Sequence, residues 1–149
     1  MNLHEESIGF LVNSTGRRMA QLLTTLYSPY EVTTEQWSLL RALETAGNMN
    51  QKELAQRVGK DQASVTRILD GMERKQLVRR EPNAQDRRSY VIHVTDKGRA
   101  MTATLLPIEE EMLRIALEGL TESELQQLKA VLGRITENVT QALIGGTTK

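Results

Sequence analysis

Apolar residues recur every three or four positions along most of the chain, which is the spacing of one buried helix face. Over residues 5–27 they fall at Ile8, Leu11, Val12, Met19, Leu22, Leu23 and Leu26, predicting a first helix. Pro29 ends that region, because proline lacks an amide hydrogen and clashes with the preceding turn. Thr33-x-x-Gln36 has the form of a capping box, so a second helix should begin there, carrying Trp37, Leu39, Leu40 and Leu43. Asn50-x-x-Glu53 opens a short third helix, QKELAQRVG, with Leu54 and Val58 inward and Gly59 as its stop. Asp61 caps a fourth, QASVTRILDGMERKQ, whose stripe is Val65, Ile68, Leu69 and Met72. Two short helices joined by a tight turn form a helix-turn-helix.

The period then changes to two. A first strand is predicted over about residues 77–81 and a second over about 89–94, where Tyr90, Ile92 and Val94 alternate with Val91 and His93. Residues 82–88 lie between them as a loop, so a β-hairpin, a wing, follows the helix-turn-helix. Helical spacing returns over about 96–118, after Thr95 as cap, with Met101, Leu105, Ile108, Met112 and Ile115; Pro107 inside that stretch predicts a bend. Thr121-x-x-Glu124 opens a sixth helix with Leu125, Leu128, Leu132, Ile135 and Val139, and GGTTK reads as a frayed tail. The expected fold is mainly α (α+β). A winged helix-turn-helix domain with a two-stranded wing occupies residues 33–95. Residues 1–32 and 96–149 form a helical dimerisation region.

The 149 residues include no cysteine, which excludes disulfides, thiol redox sensing and cysteine-ligated zinc, and fits a reducing cytoplasm. His4 and His93 are far apart and lack ligand-spaced neighbours, so no metal and no cofactor is expected. No apolar run is long enough for a membrane span, and MNLHEES does not read as a signal peptide. There is no glycine-rich phosphate loop or nucleophile motif, so the chain is not expected to be an enzyme. Nineteen basic residues balance nineteen acidic ones, but the charge is uneven. Between Arg57 and Arg88, nine basic residues face five acidic ones, an excess of four positive charges. A basic segment in a neutral chain is the footprint of a local anionic partner, or simply a solvated surface.

The polar side of the fourth helix favours the first reading. Gln62, Ala63, Ser64, Thr66 and Arg67 stand in its N-terminal half, the end that enters a major groove in helix-turn-helix proteins. Glutamine can bond adenine, arginine guanine, and a threonine methyl can meet a thymine methyl. With that helix in a major groove, the wing lies over the adjacent minor groove, whose negative potential attracts arginine when it is narrow. Arg87 or Arg88 is the reaching residue, and Asp86 would orient it through a bidentate pair. Asn50, Lys60 and Arg74 are candidates for contact with the DNA backbone. The bland alternative is a surface ion pair on a solvated loop.

Residues 50–98 resemble the MarR (multiple antibiotic resistance regulator) family of winged helix-turn-helix transcription factors. The resemblance is carried by QKELAQRVGKDQASVTRILDGMERKQLVRR and DRRSYVIHVTDKG. The family's wing signature appears as Asp86-Arg87-Arg88 with Val94-Thr95, and its recognition-helix arginine matches Arg67. The flanking helices also have the family's order. The resemblance implies a DNA-binding regulator, a repressor by expectation, acting on double-stranded DNA as a homodimer built from the terminal helices. Ile8, Leu11, Leu125, Leu128, Leu132, Ile135 and Val139 are the expected interface. It also implies release by a small aromatic or phenolic ligand, with Arg17, Arg18, Trp37 and Arg41 as candidate contacts, although Trp37 better suits a core and the arginines a solvated surface. The competing reading is a winged-helix protein-interaction module without specific DNA binding.

Overall fold

The structure is a computed structural model that describes residues 7–146. His4, the first residues of the expected first helix and the last three of the expected frayed tail lie outside the described residues. Six helices and three strands follow in the order α1 (Ile8–Tyr27), α2 (Thr34–Ala46), β1 (Met49–Asn50), α3 (Gln51–Val58), α4 (Gln62–Arg74), β2 (Val78–Asn83), β3 (Asp86–Val94), α5 (Asp96–Ala116) and α6 (Glu122–Gly145). Two compact units divide between Leu113 and Arg114, inside α5.

Local chemistry sets the element ends as expected. The α2 and α6 capping boxes are both closed: Thr33 and Thr121 accept from the backbone at Gln36 and Glu124, whose side chains accept in return. Asn50 and Asp61 cap α3 and α4. Gly59 takes the left-handed conformation after α3, where a side chain would be strained. Pro29 sits in a short 3-10 turn, Ser28–Tyr30, that ends α1, while Pro107 stands inside a continuous α5.

The first unit holds the core. Tyr27, Leu39, Leu40, Leu43, Leu54, Leu69, Met72, Leu77, Ile92 and Leu105 are essentially fully buried, so the last turn of α1, the α2–α4 layer, the sheet and α5 share one apolar interior. The sheet order is β1-β3-β2, all antiparallel. The expectation of two strands therefore needs a correction. Met49 and Asn50, between α2 and α3, add a third strand opposite Ile92 and Val91. Two residues are too short for any period-two pattern to reveal. The hairpin is also longer than expected: its strands reach Asn83 and Asp86, leaving a turn of Ala84 and Gln85. The Asn83 side chain accepts from the Gln85 amide at 3.0 Å and donates to Ser89 Oγ at 3.1 Å, replacing the loop with a tight, cross-braced tip.

Strand and helix are locked at the start of α5. The Thr95 amide donates to the Leu77 carbonyl at 3.1 Å, and Thr95 Oγ1 donates to the Gln76 carbonyl and accepts from the Gly98 amide at 3.0 Å. A Cβ at position 98 would lie 2.2 Å from the Leu77 carbonyl oxygen, so any side chain here must push that backbone aside.

The second unit, described by itself, is the end of α5, a turn through Gly119 and the long helix α6. No residue of α6 is buried. Its apolar positions Leu128, Val131, Leu132, Ile135 and Val139 are all exposed, and Leu125 is half-buried. The start of α1 in the first unit is similar, with Ile8, Phe10, Leu11 and Val12 exposed.

Candidate nucleic-acid interface

The site begins with the cap of α4. Asp61 Oδ1 accepts from the Ser64 amide and Oδ2 from the Ser64 hydroxyl, each at 2.8 Å. These bonds hold the Asp61 carboxyl below the usual carboxylate range. They also commit the Ser64 proton to the cap. Thr66 is similarly occupied: its hydroxyl donates to the Gln62 carbonyl at 2.9 Å and accepts from the Gln51 side chain. Gln51 also reaches the Gln62 carbonyl at 3.3 Å, so the first turn of α3 is stitched to the first turn of α4. Of the five predicted reading residues, Gln62, Ala63 and Arg67 have exposed side chains that take no part in the cap, and Thr66 keeps its methyl for contact.

Arg67 is 72 % exposed and pairs with Glu35 in the first turn of α2, at 3.5 Å. In the sequence Glu35 is merely an acidic residue in the first turn of a helix, with nothing to mark it as Arg67's partner. Gly71, on the same helix, has a packing reason. A Cβ there would sit 3.1 Å from Gln36 Nε2, so glycine lets α4 approach the buried Gln36 side chain. Gln36 Oε1 in turn accepts from Lys75 Nζ at 3.0 Å and from the Thr33 amide at 3.3 Å, and Lys75 also donates to the Glu31 carbonyl. These bonds tie the C-terminal end of α4 to the start of α2.

The wing is tied to the same helix by Arg80. Its Nη1 donates to Asp70 Oδ1 at 2.7 Å and its Nη2 to the Thr66 carbonyl at 3.1 Å. Arg80 Nε is buried without a hydrogen-bond partner among the described residues. From composition alone Arg80 is only one charge of the basic segment. The missed signal is its place in the period-two pattern: opposite Ile92, it points to the buried side of the sheet.

At the tip, Asp86, Arg87 and Arg88 are strand residues rather than loop residues. The expected bidentate pair is also corrected. A single oxygen, Asp86 Oδ1, accepts both the Arg88 amide at 3.0 Å and Arg88 Nε at 3.5 Å. The short hairpin holds Asp86 and Arg88 two residues apart on one strand, so the carboxylate reaches the amide first. The Arg88 side chain remains 93 % exposed. Arg74 is exposed and Lys60 half-buried, whereas the Asn50 side chain is used within the fold, accepting from the Glu53 amide and donating to its carboxylate.

The ligand candidates form two groups. Arg17 and Arg18 line a shallow cavity of about 560 Å³ with Phe10, Ser14 and Gln21. Neither Trp37 nor Arg41 lines it. Trp37 is only 3 % exposed and packs edge-on against Tyr27, with ring centroids 5.5 Å apart. The Arg41 guanidinium lies 5.7 Å from the Trp37 ring and 3.8 Å from Glu109. Burial, with Glu109 adding to it, pushes the Tyr27 hydroxyl above its ordinary range. Trp37 is thus a core residue, and its Nε1 has no partner among the described residues. No cluster of three potential metal ligands occurs among the described residues, and no described helix is long and apolar enough to cross a membrane.

A family model for the MarR family matches residues 32–90, which spans α2 through the first half of β3. Among solved structures, a mutant MarR from E. coli complexed with operator DNA superposes with a TM-score of 0.82 at 24% identity, over 91% of this chain and 98% of that one. BpsR from Bordetella bronchiseptica, whose DNA binding is regulated by 6-hydroxynicotinic acid, gives 0.80 at 21% identity, over 88% and 99%. These two likenesses are of fold. A protein of unknown function from Listeria innocua is 38% identical over 88% of this chain and 91% of that one, with a TM-score of 0.66.

Proposed function

Because the chain belongs to the MarR family of winged helix-turn-helix transcriptional regulators, we propose that it binds operator DNA through α4 and the wing and represses transcription as a homodimer. The observation that carries this reading is the pairing of two projections on one braced unit. Gln62, Ala63 and Arg67 stand outward at the start of α4, and Arg88, paired to Asp86, stands exposed at the hairpin tip. Arg80 links the two elements directly, so they present to a duplex as one rigid surface. Arg67 reads a base in the major groove, and Arg88 enters the flanking minor groove.

The dimer reading rests on the exposed apolar faces of α1 and α6. A helix as long as α6 with no fully buried residue gains little from packing and does not hold its shape by propensity alone. A second copy supplies the missing partner. Two-fold symmetry then favours a pseudo-palindromic operator with half-sites roughly 34–36 Å apart. A small aromatic carboxylate suits the Arg17 and Arg18 cavity as an effector, in the manner of the regulated Bordetella relative.

The test is fluorescence anisotropy on the DNA upstream of the protein's own gene, against excess random duplex at two salt concentrations. Binding that survives competitor and weakens steeply with salt is the expected result. No retained complex on any genomic fragment would overturn the reading and favour a protein-interaction module instead. Sedimentation of the free protein as a monomer at micromolar concentration would overturn the dimer.

A further inference from the structure

The ion pair between Glu35 and Arg67 stands where DNA would lie, and charge chemistry gives it a consequence. Glu35 occupies the first turn of α2, next to but outside the capping box formed by Thr33 and Gln36. Its carboxylate is 45 % exposed and lies 3.5 Å from Arg67 Nη2, on the exposed side of α4. Beside the pair is a shallow cavity of about 230 Å³ that also includes Gly71 and Arg74. A carboxylate in that position repels phosphate and competes with any anionic partner for the guanidinium.

We propose that Glu35 is a specificity-determining residue that occupies Arg67 on nonspecific DNA and releases it only to a base edge offering two acceptors. On a random duplex a phosphate must displace one carboxylate oxygen for another anionic oxygen, a near-even exchange in which no net charge is neutralised. On the operator, a guanine presents O6 and N7 together, and a bidentate bond replaces a single long contact. Breaking the pair costs the same in either complex, but the freed carboxylate then repels a phosphate seated on Arg67 and meets no such charge on a base edge, so Glu35 subtracts more from background binding than from operator binding. An acidic residue in a first helical turn also complements the helix dipole. That role predicts a change in stability and no change in DNA selectivity.

This inference rests on the DNA-binding reading above. The experiment compares wild type, Glu35→Gln, Arg67→Ala and the double variant on operator and on random duplex, across a salt series. For Glu35→Gln, binding to random duplex should tighten about two- to fivefold, the range expected for a surface ion pair. Its salt dependence should steepen by about 0.9 in log K against log salt, one additional neutralised phosphate. Operator affinity should change less, so the specificity ratio falls. In the Arg67→Ala background, Glu35→Gln should leave that ratio unchanged. An equal effect of Glu35→Gln with and without Arg67 would overturn the proposal, because the carboxylate would then act only as bulk charge. An unaltered salt slope and ratio in Glu35→Gln, with specific wild-type binding intact, would also overturn it and leave the DNA reading standing. Absence of specific binding by wild type would instead defeat the DNA reading itself and this inference with it.

Discussion

Gly98→Ala tests whether the junction between the wing and α5 is as tight as its geometry requires. The added methyl would meet the Leu77 carbonyl oxygen at 2.2 Å, the Leu77 carbonyl carbon at 3.1 Å and Val94 Cγ1 at 2.7 Å. The nearest of these is backbone, so no side chain can swing away. The Leu77 carbonyl also accepts the Thr95 amide, and Thr95 in turn holds both Gln76 and Gly98. Relief of the clash must stretch that network. Overpacking of this kind costs about 1–3 kcal/mol. A weakened backbone hydrogen bond adds about 1 kcal/mol. Alanine's better helix propensity returns about 1 kcal/mol. The net expectation is a loss of roughly 1–3 kcal/mol, read as a lower urea midpoint with an unchanged slope. Gly71→Ala is the internal control. There the nearest atom is the end of the Gln36 side chain at 3.1 Å, and helix propensity favours alanine, so stability should stay within about 1 kcal/mol of wild type. A Gly98→Ala protein as stable as wild type would refute the argument from close approach.

The brace between helix and wing should be visible in a double-mutant cycle. Arg80→Met and Asp70→Asn should each destabilise, with a coupling of about 1 kcal/mol because Asp70 is half exposed and partly rehydrates; additive effects would mean that the pair holds nothing. Arg67→Ala should lose roughly 1–3 kcal/mol of operator binding and relax specificity at one base position, measured by anisotropy over a set of single-base variants. Arg88→Ala should weaken binding most on sites with A·T-rich flanks, and an equal loss on G·C-rich flanks would argue against minor-groove insertion. For Asp61, the folded carboxyl titrates below its unfolded value, so its cap contribution is complete above about pH 4 and is lost as pH falls through the folded value. Asp61→Asn keeps an acceptor but no titration, so its urea midpoint should fall less steeply than wild type in that acid window.

Element order, caps and the inward stripe of α4 were legible in the chain because they depend on neighbours within four residues. Thr33 with Gln36, Asp61 with Ser64 and Thr121 with Glu124 are local geometry, and Val65, Ile68, Leu69 and Met72 are one helix face. The basic segment and Arg67 were likewise visible as residue types at a spacing. Tertiary structure alone decided what those side chains are free to do. Thr66 is held by Gln51 across a turn, and Asn50, besides capping its own helix, pairs with Val91 in the sheet. The partners that govern Arg67, Arg80 and Lys75 come from elements 10 to 44 residues away, which no local pattern encodes. Gly98 shows the same division. Its identity is plain in the sequence, but its reason is a carbonyl that only the folding of β3 and α5 back against Leu77 brings within reach. Periodicity reports which face of an element is apolar, while the pairing of long polar side chains depends on which other element the fold sets opposite.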